Sequence, residues 1–247
     1  LPEVFRANGY RTVRIEKVFH AGNQGRVFGD AARWDHIVKI RDGLEPPKGE
    51  KQTPPRALYD HIPKEARQKN YDQRAWEWGP RGESFLSCAD GCSAEQAYRL
   101  LSEPRRPDDK PLFLAVGFHL PHLPLRAPRP YFEMYPPDRI PLPEYPEDDL
   151  EDTPSRYGLS NHKAFTDEKR REAIAAYYAC VSYMDACVGR VMEGLKGSGR
   201  DRDTIVVFWG DHGFNLGEHR LWQKSCLFEE SCRVPFAIVA PGVTAPG

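Results

Sequence analysis

The stretch IVVFWGDHGFNLGEHRLWQK, from Ile205 to Lys224, changes character once. Residues suited to a buried strand run up to Gly210, and acids, histidines and glycines follow. The strand therefore leaves Asp211 and His212 side by side at its end. A short apolar run rich in β-branched and aromatic residues and closed by glycine suits a strand buried on both faces of a parallel sheet. Open parallel sheets bind ligands outside the carboxyl ends of their strands. This reading gives an α/β fold and names the edge of the sheet where chemistry belongs.

Two more segments have the same grammar. YRTVRIEKVFH, residues 10–20, delivers Lys17 and His20 near its end, and PLFLAVGFHLPH, residues 111–122, delivers His119 and His122. The strand ends fall near 13–20, 112–119 and 205–212, and VPFAIVAPG, residues 234–242, supplies a further strand. Thr166 is a fair N-cap, with Asp167 and Glu168 in the first turn of a long helix. Its apolar stripe is Ile174, Tyr177, Tyr178, Val181, Met184, Val188, Val191 and Leu195, and KGSG ends it. If the strands on either side share one sheet, the crossover is right-handed and the pairing parallel. A shorter helix starts at Ser93, where Gln96 completes a capping-box pattern, and runs to about Ser102. LPEVFRANGY, at the start, reads as helix. Residues 22–85 and the proline-rich residues 121–161 read as irregular loops on the substrate side of the sheet.

The 247 residues suffice for one large α/β domain or two small ones. With 35 basic and 36 acidic residues the net charge is −1, and no nucleic-acid footprint is present. The mixed clusters RRPDDK and DEKRRE are solvated faces. No apolar run reaches the roughly 20 residues of a membrane span, and the first residues lack the apolar centre of a signal peptide. The six cysteines form no metal framework. Cys88 and Cys92 suit either a small disulfide-closed loop or two free thiols, while Cys180 and Cys187 lie on one helix face and read as core. Cys226 and Cys232 follow the opening motif, and the pattern does not decide the redox compartment. The chain opens without methionine and stops just after a strand, so it reads as part of a longer protein.

Neighbouring strands would bring these terminal groups into one volume. Adjacent Asp211 and His212 can ligate a metal together. Lys17 and Lys224 can supply the positive charge that a tetrahedral oxyanion such as sulfate or phosphate requires as charge builds on the leaving oxygen. Trp222 and Phe228 flank Lys224, so its segment packs. His219 either supports the site from behind or is structural.

ANGYRTVRIEKVFHAG, PLFLAVGFHLPHLPLRAP, YYACVSYMDACVGRVMEGL and VVFWGDHGFNLGEHRLWQKSCLFEESCRVP, in this order, resemble the sulfatase family of the alkaline-phosphatase-like superfamily, in particular its iduronate-2-sulfatase-like branch. The resemblance covers nearly the whole chain as a partial catalytic domain, residues 1–247. It implies an incomplete, mostly parallel central sheet flanked by helices. It also implies hydrolysis of sulfate esters on a sulfated sugar or glycosaminoglycan, using a formylglycine made from the cysteine or serine of a C/S-x-P/A-x-R motif. By the same resemblance Asp211 and His212 are calcium ligands, and Lys17 holds the formylglycine or the sulfate. His20 assists breakdown of the sulfated intermediate as a base. His122 and Lys224 contact the sulfate and the bridging oxygen, where they can protonate the leaving group. A formylglycine-generating enzyme is an implied partner, and export to periplasm, lysosome or the outside is the family habit.

Three features depart from the family pattern. No C-x-P-S-R or C-x-A-x-R block occurs in these residues, so the nucleophile and further aspartate ligands are expected upstream of Leu1, and this chain alone is expected to be inactive. Glu16 stands where the family usually has glycine, and could crowd or recharge the site. Cys226 takes a position often held by threonine. Only the resemblance points to calcium, because a histidine ligand by itself favours zinc or manganese. The alternatives are a phosphatase, phosphonate hydrolase or phosphoethanolamine transferase of the same superfamily, or a protein that binds sulfated glycans without cleaving them.

Overall fold

The computed structural model describes residues 1–18, 33–40, 56–57, 77–104, 106, 108–153 and 166–245. Helix α1 (Pro2–Ala7) leads into strand β1 (Arg11–Glu16), with proline at the helix start and Glu3 in its first turn. On one side β1 pairs in parallel with β2 (His36–Val38), in the register Val13 to His36. Two short strands, β3 (Arg56–Ala57) and β4 (Glu77–Trp78), form an antiparallel pair. Helix α2 (Ala89–Ser102) precedes β5 (Leu112–Gly117), which runs parallel to β1 along its other edge from Arg11–Leu112 to Glu16–Gly117. Thr12, Val13, Arg14 and Ile15 of β1 are all buried, as a central strand covered on both faces requires.

After α3 (Arg129–Glu133) comes the long helix α4 (Asp167–Gly197). Thr166 caps it, its hydroxyl accepting from the Lys169 amide, and the helix closes against Ser198 as the KGSG signal requires. Then follow β6 (Val206–Trp209), β7 (Asn215–Leu216), β8 (Trp222–Gln223), α5 (Glu229–Cys232) and β9 (Phe236–Val239).

The core lies mainly between α2 and α4. Ala94, Ala173, Ala176, Cys180, Tyr183 and Cys187 pack there, joined by Trp78, Leu125 and Trp222. Small residues let the two helices approach closely: a Cβ on Gly194 would lie 3.0 Å from the Tyr98 Cα. Val13 and Ile15 meet Ala97 of α2 in a second cluster, which ties this helix layer to the sheet. Two buried polar groups are paired across the core. The Tyr183 hydroxyl donates to the Phe85 carbonyl at 2.6 Å, and Glu172 accepts from the Trp78 indole at 3.2 Å.

Several expectations change. The buried face of α4 runs through its alanines and cysteines, and Tyr178 and Val181 of the expected stripe point to solvent. Helix α2 begins at Ala89 rather than Ser93, whose hydroxyl bonds back to the Ala89 carbonyl inside the helix. The span 22–85 contains β2 and β4, and 121–161 contains α3. Strands β6 and β9 pair with each other, and do so antiparallel. They also expose much of their apolar surface, so β6 is not buried on both faces. Cys88 and Cys92 carry free thiols, as do the other four cysteines.

Candidate active site

The carboxyl ends of β1 and β5 are drawn together by the absence of one side chain. A Cβ on Gly117 would fall 1.7 Å from the Lys17 carbonyl oxygen, so only glycine lets the two chain ends run this close. Glu16 sits at φ 54°, in the left-handed region that favours glycine. Its carboxylate turns towards β2 and accepts from the Ile40 amide at 2.6 Å. Glu16, which could have crowded or recharged the site, is instead bonded on the β2 side of β1. Lys17, the next residue, goes to the site.

Beyond β5 the chain turns through His119 to His122, whose amide donates to the His119 carbonyl at 2.8 Å. The His122 Nδ1 lies 2.7 Å from the Leu123 carbonyl. A carbonyl can only accept, so the proton sits on Nδ1 and Nε2 carries the free lone pair. The loop after β6 repeats this device: His212 Nδ1 lies 2.7 Å from the Gly213 carbonyl. His212 Nε2 therefore accepts from the Lys224 ammonium, at 2.7 Å. Asp211 Oδ2 stands 3.8 Å from that same Nε2.

Lys224 is carried by a braced loop. Buried Asn215 donates to the Gln223 carbonyl at 2.9 Å and to the Ser231 hydroxyl at 2.6 Å, and Cys226 bonds the same hydroxyl at 3.1 Å. Cys226 thus has a structural task at the position where threonine was the expected residue. Trp222 is buried beside it.

Electrostatics tie the three segments into one site. Burial holds the His122 ring below the ordinary histidine range, and the charges of Lys17 and Lys224 and the nearby His212 add to this, against the Leu123 bond. The Lys224 ammonium is made more acidic by burial and by Lys17, with Asp211 opposing. Lys17, His122, Asp211, His212 and Lys224, from three strand ends and the loop after β8, thus share one electrostatic environment. His20 lies outside the described residues. His119 does not join: its ring turns to Asp90, with Nδ1 3.8 Å from Oδ1. His219 is structural, held between Asp149 at 2.9 Å and Glu230 at 3.4 Å and stacked on Phe228 at 3.9 Å. Gly117, Asn215 and Asp90 support the site without having been visible as site residues.

The residues present suit a cation only in part. Asp211 and His212 offer one oxygen and one nitrogen towards the same space, but Lys224 already occupies the nitrogen lone pair. Among the described residues no group of three or more His, Cys, Asp or Glu is placed to hold a metal.

This architecture defines an α/β protein whose strand ends and following loops carry two lysines, two histidines and an aspartate. The sulfatase family model matches residues 1–246, and the chain belongs to the sulfatase family. A sulfatase of Formosa agariphila is 33% identical over 98% of this chain and 47% of its own length. Iduronate 2-sulfatase of Homo sapiens is 29% identical over 99% of this chain and 46% of its own length. The chain spans about half the length of the curated relatives it matches. Among solved structures, the phosphonate monoester hydrolase of Agrobacterium radiobacter superposes with a TM-score of 0.64 at 18% identity, covering 98% of this chain and 52% of that one. BT4656, solved with its substrate D-glucosamine-2-N,6-O-disulfate, gives 0.59 at 17% identity, over 97% and 55%. At these identities the superpositions speak for the fold.

Proposed function

We propose that the whole protein hydrolyses sulfate esters on a sulfated sugar, and that this chain supplies the cationic half of the site. The convergence of Lys17, His122 and Lys224 beside Asp211 and His212 carries the reading. Two lysines that act on the same ring, with only Asp211 opposing their charge at Lys224, suit an anion. A sulfate group entering beside Lys224 opposes the burial and like charge that make its ammonium more acidic.

Lys224 is the better placed acid. It holds a proton at rest, and its lowered affinity for that proton suits donation to an oxygen as the sulfur–oxygen bond breaks. His122, neutral with its lone pair on Nε2, binds an O–H or takes up a proton once sulfate neutralises its surroundings. Lys17 contributes fixed charge. Asp211 and His212 would hold a cation once Lys224 turns to substrate, and a bound cation would polarise the sulfate oxygens. Family resemblance assigns calcium there, a formylglycine as nucleophile and its generating enzyme as partner.

The test is steady-state hydrolysis of 4-nitrophenyl sulfate, a 2-O-sulfated uronic acid and a phosphonate monoester by the whole protein. Turnover of the sulfates over the phosphonate supports the reading. The reverse preference assigns the same cationic site to phosphoryl chemistry. Binding of sulfated sugar without turnover makes the protein a lectin-like relative.

A further inference from the structure

Asp90 lies in the first turn of α2 and is 2% exposed. Burying a carboxylate is costly unless its oxygens are satisfied, and among the described residues no lysine or arginine pairs with this one. Its hydrogen-bond partners are backbone amides 29 and 30 residues away, with the His119 ring Nδ1 standing off at 3.8 Å. The His119 amide donates to both oxygens, at 2.9 and 3.1 Å, and the Leu120 amide donates to Oδ2 at 2.8 Å. The base of this clamp is rigid. A Cβ on the adjacent Gly91 would lie 2.1 Å from the Phe85 carbonyl and 2.3 Å from the Tyr183 hydroxyl, so α2 starts hard against the core.

The clamp continues into the site. The His119 carbonyl accepts from the His122 amide at 2.8 Å, and the His122 ring is pinned to the Leu123 carbonyl at 2.7 Å. An unbroken run of hydrogen bonds leads from a buried carboxylate on α2, through the turn after β5, to the one imidazole of that turn that faces Lys17 and Lys224. We propose that Asp90 is a positioning residue, whose carboxylate fixes the His119–His122 turn so that His122 Nε2 addresses the substrate oxyanion. This rests on the role given to His122 above. Asp90 itself touches no substrate. Asparagine can still accept with one oxygen, but its amide group would face N–H donors, so it loosens the clamp without emptying the space.

The experiment compares wild type, Asp90→Asn, Asp90→Ala, His122→Ala and the Asp90→Asn/His122→Ala double variant of the whole protein. Each is checked by thermal melting and assayed on 4-nitrophenyl sulfate. A displacement of about 1 Å at a reacting group costs on the order of 100-fold. We expect Asp90→Asn to lower kcat by about 10- to 100-fold, Asp90→Ala by as much or more, and KM in either to change little. Within the His122→Ala background, Asp90→Asn should cost less than about 3-fold further, because the two substitutions remove one function. Multiplicative losses in the double variant, or a fully active Asp90→Asn, would overturn the proposal. Should the wild type not hydrolyse sulfate esters, the role given to His122 fails, and the clamp is read from the NMR signals of the His122 ring. They shift in Asp90→Asn if the clamp holds the ring, and unchanged signals dispose of the clamp.

Discussion

Lys224 is flanked by Gln223 at φ 77° and Ser225 at φ 82°, two side-chain-bearing residues in the left-handed region. Each costs on the order of 1 kcal/mol or more, and the Asn215 network meets that cost while aiming the ammonium at His212. Lys224→Ala in the whole protein should lower kcat/KM by about 100- to 1,000-fold, the usual cost of removing one donor to a developing oxyanion. Lys224→Arg should not restore it, because a guanidinium keeps its proton. Asp211 has 81% of its side chain exposed, so Asp211→Ala should leave the melting temperature within the scatter of a surface change. It should abolish the part of the activity that a chelator removes, and undiminished turnover in that variant takes Asp211 out of the site. At this scale the sequence was informative where a residue sits in a motif at a strand end: Lys224 bonds His212 beside Asp211, and the charges of Lys17 and Lys224 act on His122. His119 misled because the turn after β5 points its ring at Asp90 instead. Asp90 itself left no sequence signal, since it acts on amides 29 and 30 residues away.

Among the elements, α4 shows how an apolar stripe can mislead. The buried face of α4 includes Ala176, Ala179, Cys180 and Tyr183, and where it meets α2 at Gly194 close helix approach selects for small size over hydrophobicity. Ranking residues by hydrophobicity therefore placed Tyr178 and Val181 inside, where the structure leaves them 39% and 36% exposed. Ala179→Leu should destabilise by about 1–3 kcal/mol through overpacking, whereas Val181→Ala should cost well under that, both measured by urea unfolding. The same packing seals the thiols. Burial pushes the Cys88 thiol up to about 12 and raises Cys92, Cys180 and Cys187 as well. Thiolates are the reactive species, so a thiol reagent at pH 8 should label Cys226 and Cys232 in the native protein and reach the other four only after unfolding. Strand positions were legible from their apolar runs. The direction in which β6 and β9 pair was not, since a run of apolar residues carries no information about its partner.

For the whole molecule, the parallel sheet β2-β1-β5 packs on α2 and α4 and carries the ends of β1 and β5, while β6 pairs with β9 outside it, and the α/β class follows from the sequence pattern. No helix among the described residues is long and apolar enough to cross a membrane. Val207, Trp209, Phe236 and Ile238 on the β6–β9 ribbon are each at least 45% exposed. A contiguous apolar surface of this kind marks a contact site. This chain taken by itself should therefore associate with rising concentration in sedimentation, and Trp209→Glu should reduce that association. Alkali should weaken the fold. Burial raises Cys88 from 9.0 and Tyr177 from 10.0, each to about 12. Above about pH 9 the unfolded chain therefore releases protons that the folded one keeps, and stability falls as pH rises from there.

The central claim is that Lys17, His122 and Lys224 close on one sulfate group. Its most direct measurement is a crystal structure of the whole protein soaked with a sulfate ester analogue. The account predicts the sulfate within hydrogen-bonding distance of Lys17 Nζ, Lys224 Nζ and His122 Nε2 together. A sulfate bound elsewhere, or these three side chains facing separate surfaces, would contradict it.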